Sequence, residues 1–391
     1  MIRRRLALGA LTVFAAATLG LGNIARGADE PPVTIPVILP LTGGGAFIGA
    51  TQRRSLEMLE AYVNRGGGIK GRPLKFAFND DQTSPQVAVQ LASSLAKQSP
   101  IVVGSSLSAM CKAIAPIFKD GPVQYCLSPA IYPAKGAYTF STSASTKDLQ
   151  VAGIRYFRER GLKKIALLAT TDSSGQDGVD DINEALKRPE NADMKLVATE
   201  RFAPSDQSVT AQLSRIKAAQ PQALIVWVPG TPFATALRGI QDVGLDVPVE
   251  STSANMIKAQ LTQYSAFIPK ELYFGGITYA AGLAENPKVK EQQANFDGWL
   301  KANNVEKDLQ TGMAWDAGLI ITDALRHLGP NAKPEDIKNF IEGLHDFPGI
   351  VGMYDFREFT QRGVGVKEVV MMRWQAGSGW STASKYGGAL K

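Results

Sequence analysis

Residues 33–64 read VTIPVILPLTGGGAFIGATQRRSLEMLEAYVN and place an apolar run, a glycine-rich loop and an amphipathic stretch in direct succession. Val33–Leu41 is typical of a buried strand. Thr51–Asn64 predicts a helix, because its apolar side chains recur on one face, namely Leu56, Leu59, Tyr62 and Val63. A strand, a loop and a helix in this order form the repeating unit of parallel α/β folds.

The same alternation continues along the chain. Strands are predicted at Leu74–Asn79, Ile101–Gly104, Val123–Leu127, Tyr138–Thr142, Lys164–Ala169, Lys195–Phe202, Ala223–Val228, Pro248–Ser251, Leu272–Tyr279 and Val366–Trp374. Helices are predicted at Pro85–Ser99, Ala109–Lys119, Lys147–Arg160, Asp177–Lys187, Ser208–Ala219, Pro232–Val243, Pro287–Asn303, Ala314–Leu328 and Pro334–Leu344. The length predicts two domains. Since no low-complexity linker separates them, we expect the chain to cross between the domains several times.

The start of the chain predicts export. Arg3, Arg4 and Arg5 precede an uncharged apolar stretch from Leu6 to Gly22, and Ala25-Arg26-Gly27 offers small residues for cleavage. Residues 1–27 are therefore predicted to be a cleavable signal peptide. They carry four arginines and no acid, so a chain of net charge +6 becomes a mature chain of about +2. This charge gives no reason to expect nucleic acid as a partner.

Cys111 and Cys126 are the only cysteines. In an oxidising compartment such a pair favours a disulfide. The predicted helix and strand bring the two residues to the same edge of a sheet, within about 7 Å of each other. The two histidines, His327 and His345, lie far from them in sequence, so no metal site is expected.

Several motifs together resemble the branched-chain amino-acid-binding protein family. In order along the chain they are Ile38-Leu39-Pro40-Leu41-Thr42-Gly43 with Ala46 and Gly49, Asn64 to Pro73, Asn79 to Pro85, Gly104 through Ser108 to Ala115-Pro116, Ser128-Pro129-Ala130, Phe140-Ser141-Thr142, Gly175-Gln176 and Gly244-Leu245. The resemblance implies a type I periplasmic-binding fold, in which two Rossmann-like α/β lobes are joined by three crossovers around a ligand cleft. It also implies a periplasmic monomer without enzymatic activity or cofactor, which delivers a small molecule to the permease of an ABC importer.

The resemblance further implies where the lobes divide. Lobe one is expected at residues 31–145 plus 279–353, and lobe two at 146–278 plus 354–391. The three crossovers are expected near residues 143–146, 277–281 and 352–355.

Three loops of lobe one follow strand ends, where doubly wound sheets bind ligands: 42–49, 105–109 and 128–132. Ser108 is placed to cap the helix that starts at Ala109. The resemblance assigns Ser108 to the ligand's carboxylate, and Ala130 and Tyr132 to the segment that closes the pocket. A plain cap facing water is the alternative for Ser108.

The chain departs from amino-acid-binding relatives at two positions. Ser174 stands where they have a tyrosine, and no acid occurs near Ser253, where they place a carboxylate for the ligand's ammonium group; the nearby Glu250 belongs to the strand. Burying an ammonium group without an anion costs several kcal/mol. A ligand with an α-amino group is therefore disfavoured unless Asp172 or Asp177 turns inward.

These departures favour a small organic acid, with an aromatic carboxylate as the specific hypothesis. Phe47, Tyr132 and Tyr279 are the candidates for flat apolar walls. For each of them, packing in the protein core is the alternative.

Three other functions are alternatives to this one. An amino-acid-binding member of the same family and a receptor that presents its ligand to a membrane sensor would use the same cleft. A dehydrogenase is disfavoured, because Gly43, Gly45 and Gly49 miss the dinucleotide-binding spacing and Asp80 lies 37 residues after Gly43 instead of about 20.

Overall fold

The computed structural model describes residues 30–277, 279 and 282–390. The predicted signal peptide at residues 1–27 lies outside the described residues. None of the described helices combines the length and the hydropathy that crossing a bilayer requires.

The first sheet has five parallel strands in the order β2-β1-β3-β4-β5. They are β1 Val33–Leu39, β2 Leu74–Asp80, β3 Ile101–Gly104, β4 Val123–Tyr125 and β5 Thr139–Phe140. Every residue of β1 except Thr34 is buried. Such continuous burial is expected of an inner strand that helices cover on both faces.

Three helices connect these strands: α1 Ala46–Arg65, α2 Pro85–Leu95 and α3 Ser108–Ile114. The predicted face of α1 is inside, since Leu56, Leu59 and Val63 are buried. The helix begins at Ala46 rather than at Thr51, so most of the predicted glycine-rich loop is helical. A side chain at Gly49 would meet the Pro40 carbonyl oxygen at 2.2 Å, so glycine permits this early start against the end of β1.

The second sheet has seven strands in the order β14-β13-β10-β9-β8-β6-β7. They are β6 Lys164–Thr170, β7 Lys195–Phe202, β8 Ala223–Trp227, β9 Val249–Ser251, β10 Leu272–Ile277, β13 Val369–Gln375 and β14 Gly379–Thr382. The strands from β6 to β10 pair in parallel, whereas β13 and β14 are antiparallel to their neighbours. The accompanying helices are α4 Thr146–Glu159, α5 Ser173–Leu186, α6 Thr210–Ala218, α7 Pro232–Asp242 and α8 Lys258–Gln263.

After β10 the chain returns to the first sheet. It forms α9 Pro287–Ala302, α10 Leu309–Leu328 and α11 Pro334–Gly343, followed by a two-stranded ribbon of β11 Phe347–Pro348 and β12 Met353–Tyr354. Helix α10 packs on α1, and the Ser55 hydroxyl donates to the Thr311 carbonyl oxygen at 2.6 Å. The chain then goes back to supply β13 and β14.

We name the first sheet with α1–α3 and α9–α11 lobe one, and the second sheet with α4–α8 lobe two. The chain passes between them three times: before α4, after β10 and before β13. The predicted fold class, two Rossmann-like lobes with three crossovers, is confirmed.

Candidate functional site

A small cavity lies between the lobes, where strand ends of both sheets face each other. It encloses about 30 Å³ of free space, enough for one or two water molecules. The residues that line it are Ile48, Ser106, Leu107, Ser108, Leu127, Ser128, Pro129 and Ala130 of lobe one, Thr146, Ser174, Trp227, Pro229, Thr252, Ser253 and Ala254 of lobe two, and Gln310 of α10. Because both lobes supply walls, a larger molecule fits only when the lobes stand further apart.

Four of the residues predicted from the sequence meet at this cavity. They are Ser108, Ala130, Ser174 and Ser253. The Ser108 hydroxyl donates to the Ser174 hydroxyl oxygen across the cleft at 3.1 Å.

The predicted capping role of Ser108 is wrong. Helix α3 begins at Ser108 itself, Leu107 occupies the cap position, and no side-chain hydrogen bond caps the helix. The hydroxyl of Ser108 instead faces the opposite lobe and lines the cavity.

The three predicted aromatic walls do not line the cavity. Phe47 is half-buried and packs edge-on against Tyr264 at 6.3 Å between ring centroids. Tyr279 is fully buried inside lobe one against Phe296, with ring centroids 5.8 Å apart, so the alternative of core packing describes it. Tyr132 lies outside the cavity and directs its hydroxyl across the cleft mouth to lobe two.

Trp227 is the aromatic residue that does line the cavity, and the sequence analysis missed its role. It ends β8, and its indole N–H donates to the Ser174 carbonyl oxygen at 3.1 Å. The ring lies directly over Gly178, where an added side chain would meet it at 2.1 Å. The position at the carboxyl end of a parallel strand was the available signal.

A chain of amides and hydroxyls supports the lobe-one wall. The Ser106 hydroxyl donates to Gln52 at 2.5 Å, the Gln52 side chain donates to Gln310 at 2.8 Å, and the Gln310 amide donates to the Ser253 carbonyl oxygen at 3.2 Å. Gln310 is thereby fixed between the lobes. No local pattern marks it, because its partners lie far away in sequence.

Among the described residues, no ionisable side chain lines the cavity. Asp172 instead caps α5, accepting from the Gly175 N–H at 2.9 Å and from the Thr170 hydroxyl at 2.7 Å. Asp177 forms an ion pair with Lys112 outside the cavity. Neither of the two acids considered from the sequence therefore supplies a countercharge for an ammonium group.

Glu250 is a strand residue, as expected, and lies behind the site. It is fully buried in β9, and burial raises the pKa of its carboxyl group to about 8. An added side chain at Gly153 of α4 would meet the carboxylate at 2.3 Å, which places Glu250 between the sheet and α4.

The predicted disulfide between Cys111 and Cys126 is confirmed, with Cα atoms 6.0 Å apart. It joins α3 to the segment after β4, directly below two of the loops that form the cavity. Among the described residues, no group of three or more acidic, cysteine or histidine side chains is arranged to hold a metal ion.

Comparison with known proteins gives the family. The model of the family described as periplasmic binding protein matches residues 32–379. The chain is similar to Leu/Ile/Val-binding protein homolog 3 of Brucella melitensis biotype 1, with 24% identity over 344 residues, covering 86% of this chain and 88% of the relative.

Solved structures share the fold. An extracellular ligand-binding receptor from Rhodopseudomonas palustris HaA2 superposes with a TM-score of 0.79 and 19% identity, covering 90% of this chain and 100% of that one. An ABC-transporter solute-binding protein from R. palustris in complex with 4-hydroxybenzoate gives a TM-score of 0.74 and 16% identity, covering 90% and 95% of the two chains. With a two-lobed fold, an interlobe cavity and these relatives, which are substrate-binding proteins and not enzymes, the chain belongs to the periplasmic binding protein family.

Proposed function

We propose that this chain is the periplasmic solute-binding component of an ABC importer for a small organic carboxylate that lacks an α-amino group. One observation carries the proposal: the cavity between the lobes is lined by hydroxyl, amide, indole and aliphatic groups and by no ionisable side chain of the described residues. An aromatic carboxylate is the class that fits this lining best.

The hydroxyl groups suit a carboxylate. They belong to Ser106, Ser108, Ser128, Thr146, Ser174, Thr252 and Ser253. Ser106 and Thr146 already donate their hydroxyl hydrogens to Gln52 and Asp181. Each of the other five hydroxyl groups can donate one hydrogen bond to a carboxylate, which accepts several. A hydrogen bond to a charged group contributes about 1.5–3 kcal/mol.

An ammonium group fits the same lining poorly. Hydroxyl and carbonyl oxygens accept its hydrogen bonds but leave its full charge uncompensated in a site with little water. Asp172 and Asp177 are engaged elsewhere, and Glu250 is buried behind the sheet.

The indole of Trp227 supplies the flat wall that the sequence analysis assigned to other aromatic residues. Aliphatic side chains complete the apolar lining, namely Ile48, Leu107, Leu127, Pro129 and Pro229. Such a surface matches an aromatic ring or a short hydrocarbon chain. The R. palustris structure with 4-hydroxybenzoate suggests a first compound to test, while its 16% identity supports the fold alone.

Lobe closure is the proposed mechanism. The ligand first meets one lobe, and closure adds contacts from the other. A ligand shifts this equilibrium only by its difference in affinity for the open and closed forms. The permease is then the partner that receives the closed form.

Titration calorimetry on the ligand-stripped mature protein tests the ligand class. We expect 3-phenylpropanoate to bind at least about tenfold more tightly than phenylalanine, because about 1.4 kcal/mol of uncompensated ammonium burial suffices. 4-Hydroxybenzoate and leucine serve as a second acid and a second amino acid.

Binding of an α-amino acid is the second candidate, favoured by the name of the B. melitensis relative. Equal or tighter binding of phenylalanine or leucine would support it and contradict the proposed class.

A further inference from the structure

One face of α5 meets lobe one at three places. The α5 residues are spaced by three and four positions, which puts them on the same side of the helix. From α5 to lobe one the pairs are Ser174 with Ser108, Asp177 with Lys112 and Asp181 with Tyr132. We call these six residues the closure seam. Each of its bonds joins the two lobes, so each can form only when the cleft is closed.

Only the first pair borders the cavity. Lys112 and Tyr132 line a separate surface hollow of about 360 Å³ in lobe one, beside the disulfide. Asp177 and Asp181 do not line the cavity either. The other two pairs therefore form their bonds only when the cleft is closed, and none of their four residues lines the cavity.

The ion pair between Lys112 and Asp177 is unevenly buried. The Lys112 side chain is 44% exposed and that of Asp177 only 10%. The second carboxylate oxygen of Asp177, Oδ2, is buried and has no hydrogen-bond partner among the described residues. In the closed form, removal of Lys112 would leave a desolvated carboxylate without its countercharge, which is costly. In an open form, water would reach the same carboxylate.

Asp181 and Tyr132 form the outer part of the seam. Asp181 is buried and accepts from the Tyr132 hydroxyl at 2.8 Å and from the Thr146 hydroxyl at 2.5 Å. Thr146 lines the cavity, so the outer bond is connected to the site through one residue. Another interlobe ion pair, Lys258 with Glu306, has two half-exposed side chains and is expected to contribute little.

We propose that the pairs Lys112–Asp177 and Tyr132–Asp181 are a latch that stabilises the closed form, and so sets the dissociation rate of the ligand without contacting it. The inference rests on the proposed function in one respect, that closure traps the ligand. Residues of the latch change affinity through the population of the closed form. They leave the preference between two ligands unchanged.

The variant Lys112→Met tests the latch, and Lys270→Met is its matched control, since Lys270 pairs with Asp246 in an exposed ion pair within lobe two. Stopped-flow kinetics with 4-hydroxybenzoate should show dissociation at least about tenfold faster for Lys112→Met and unchanged for Lys270→Met. The affinity ratio of 4-hydroxybenzoate to 3-phenylpropanoate should stay the same in all three proteins. An unchanged rate, or a changed ratio, would overturn the proposal.

Two further variants separate a latch from a general loss of structure. Asp177→Asn in the Lys112→Met background removes the uncompensated charge, so the double variant should release 4-hydroxybenzoate more slowly than Lys112→Met alone. Tyr132→Phe keeps the ring and removes the bond to Asp181, and should accelerate release severalfold. If the two substitutions accelerate the release of 4-hydroxybenzoate additively in the double variant, the latch is contradicted.

Hydrogen exchange on the ligand-free proteins makes the test independent of ligand class. Amides of residues 105–112 and 172–182 should exchange faster in Lys112→Met than in the parent or in Lys270→Met. If no acid binds the parent protein, the proposed ligand class is wrong, and the comparison of hydrogen exchange alone tests the latch. Equal exchange rates in all three proteins would then contradict the latch.

Discussion

The hydroxyl group of Ser108 reaches across the cleft to that of Ser174 and does not cap α3, which was the local role predicted for it. Which lobe a serine faces depends on the packing of segments 66 residues apart, and no local pattern contains that information.

Ser108→Ala should weaken carboxylate binding by about 1.5–3 kcal/mol, because one hydrogen bond to a charged group is lost. Stability should change little, since the hydroxyl does not cap α3. Calorimetry and thermal unfolding measure the two effects. Ser93→Ala, which alters an exposed hydroxyl of α2, is the control. Unchanged affinity for the bound acid would remove Ser108 from the site.

Trp227 was missed for a different reason. Its strand was predicted, and the general rule for parallel sheets points to the end of that strand. Phe47, Tyr132 and Tyr279 were predicted as the aromatic walls instead, and Tyr279 belongs to the core of lobe one. Gln310 carried no signal at all, because its partner Gln52 lies 258 residues earlier.

At the scale of elements, the alternation of strands and helices was predictable because burial on one or both faces imposes periodicity. The residues at which the strands and helices begin and end were less predictable. Helix α1 starts five residues early, since Gly49 allows it to approach Pro40, and this contact is tertiary.

Helix α5 carries both a wall of the site and the closure seam, so its packing against β8 should matter for binding. Gly178→Ala would place a methyl group 2.1 Å from the Trp227 ring and displace the indole. We expect affinity for a bound acid to fall at least about tenfold, by the roughly 1–3 kcal/mol typical of overpacking. The control is Gly298→Ala in α9, where the new methyl group meets nothing within 4 Å. Equal affinities of the two variants would contradict the assignment of Trp227.

The disulfide ties α3 to the segment after β4 and closes a loop of 15 residues. Chain entropy gives about 3 kcal/mol of stabilisation for a loop of this length. Denaturant unfolding with and without reductant should show a loss of that size. The same reductant should have no effect on the variant with Cys111→Ala and Cys126→Ala. Two free thiols in the unreduced, denatured parent would contradict the bond.

At the scale of the whole molecule, buried acids make stability depend on pH. Burial raises the pKa of Glu250 to about 8, and those of Asp308 and Asp316 to about 7. The pKa of each carboxyl group is higher in the folded than in the unfolded chain, so the unfolded chain loses its proton first. The free energy of unfolding should therefore fall as pH rises from about 4.5 to about 8.

Glu250→Gln isolates one of these contributions. The parent should lose on the order of 4 kcal/mol more than the variant between pH 4.5 and 8. Denaturant unfolding at both pH values measures the difference, and comparing the two slopes removes any constant effect of the amide. If the free energy of unfolding changes equally with pH in the parent and in the variant, the pKa of Glu250 is not raised in the folded protein.

The order in which the two lobes use the chain has a kinetic consequence. Lobe one needs helices as late as Pro334–Gly343, and lobe two needs strands as late as Gly379–Thr382. A nascent chain that ends at Ile277 has therefore completed neither hydrophobic core. Contacts such as Gln52 with Gln310, 258 residues apart, give the native state a high contact order. Folding of such a topology is slow, because closing long loops costs chain entropy before the stabilising long-range contacts can form. Neither lobe can therefore complete its core before nearly all of the described residues have been synthesised.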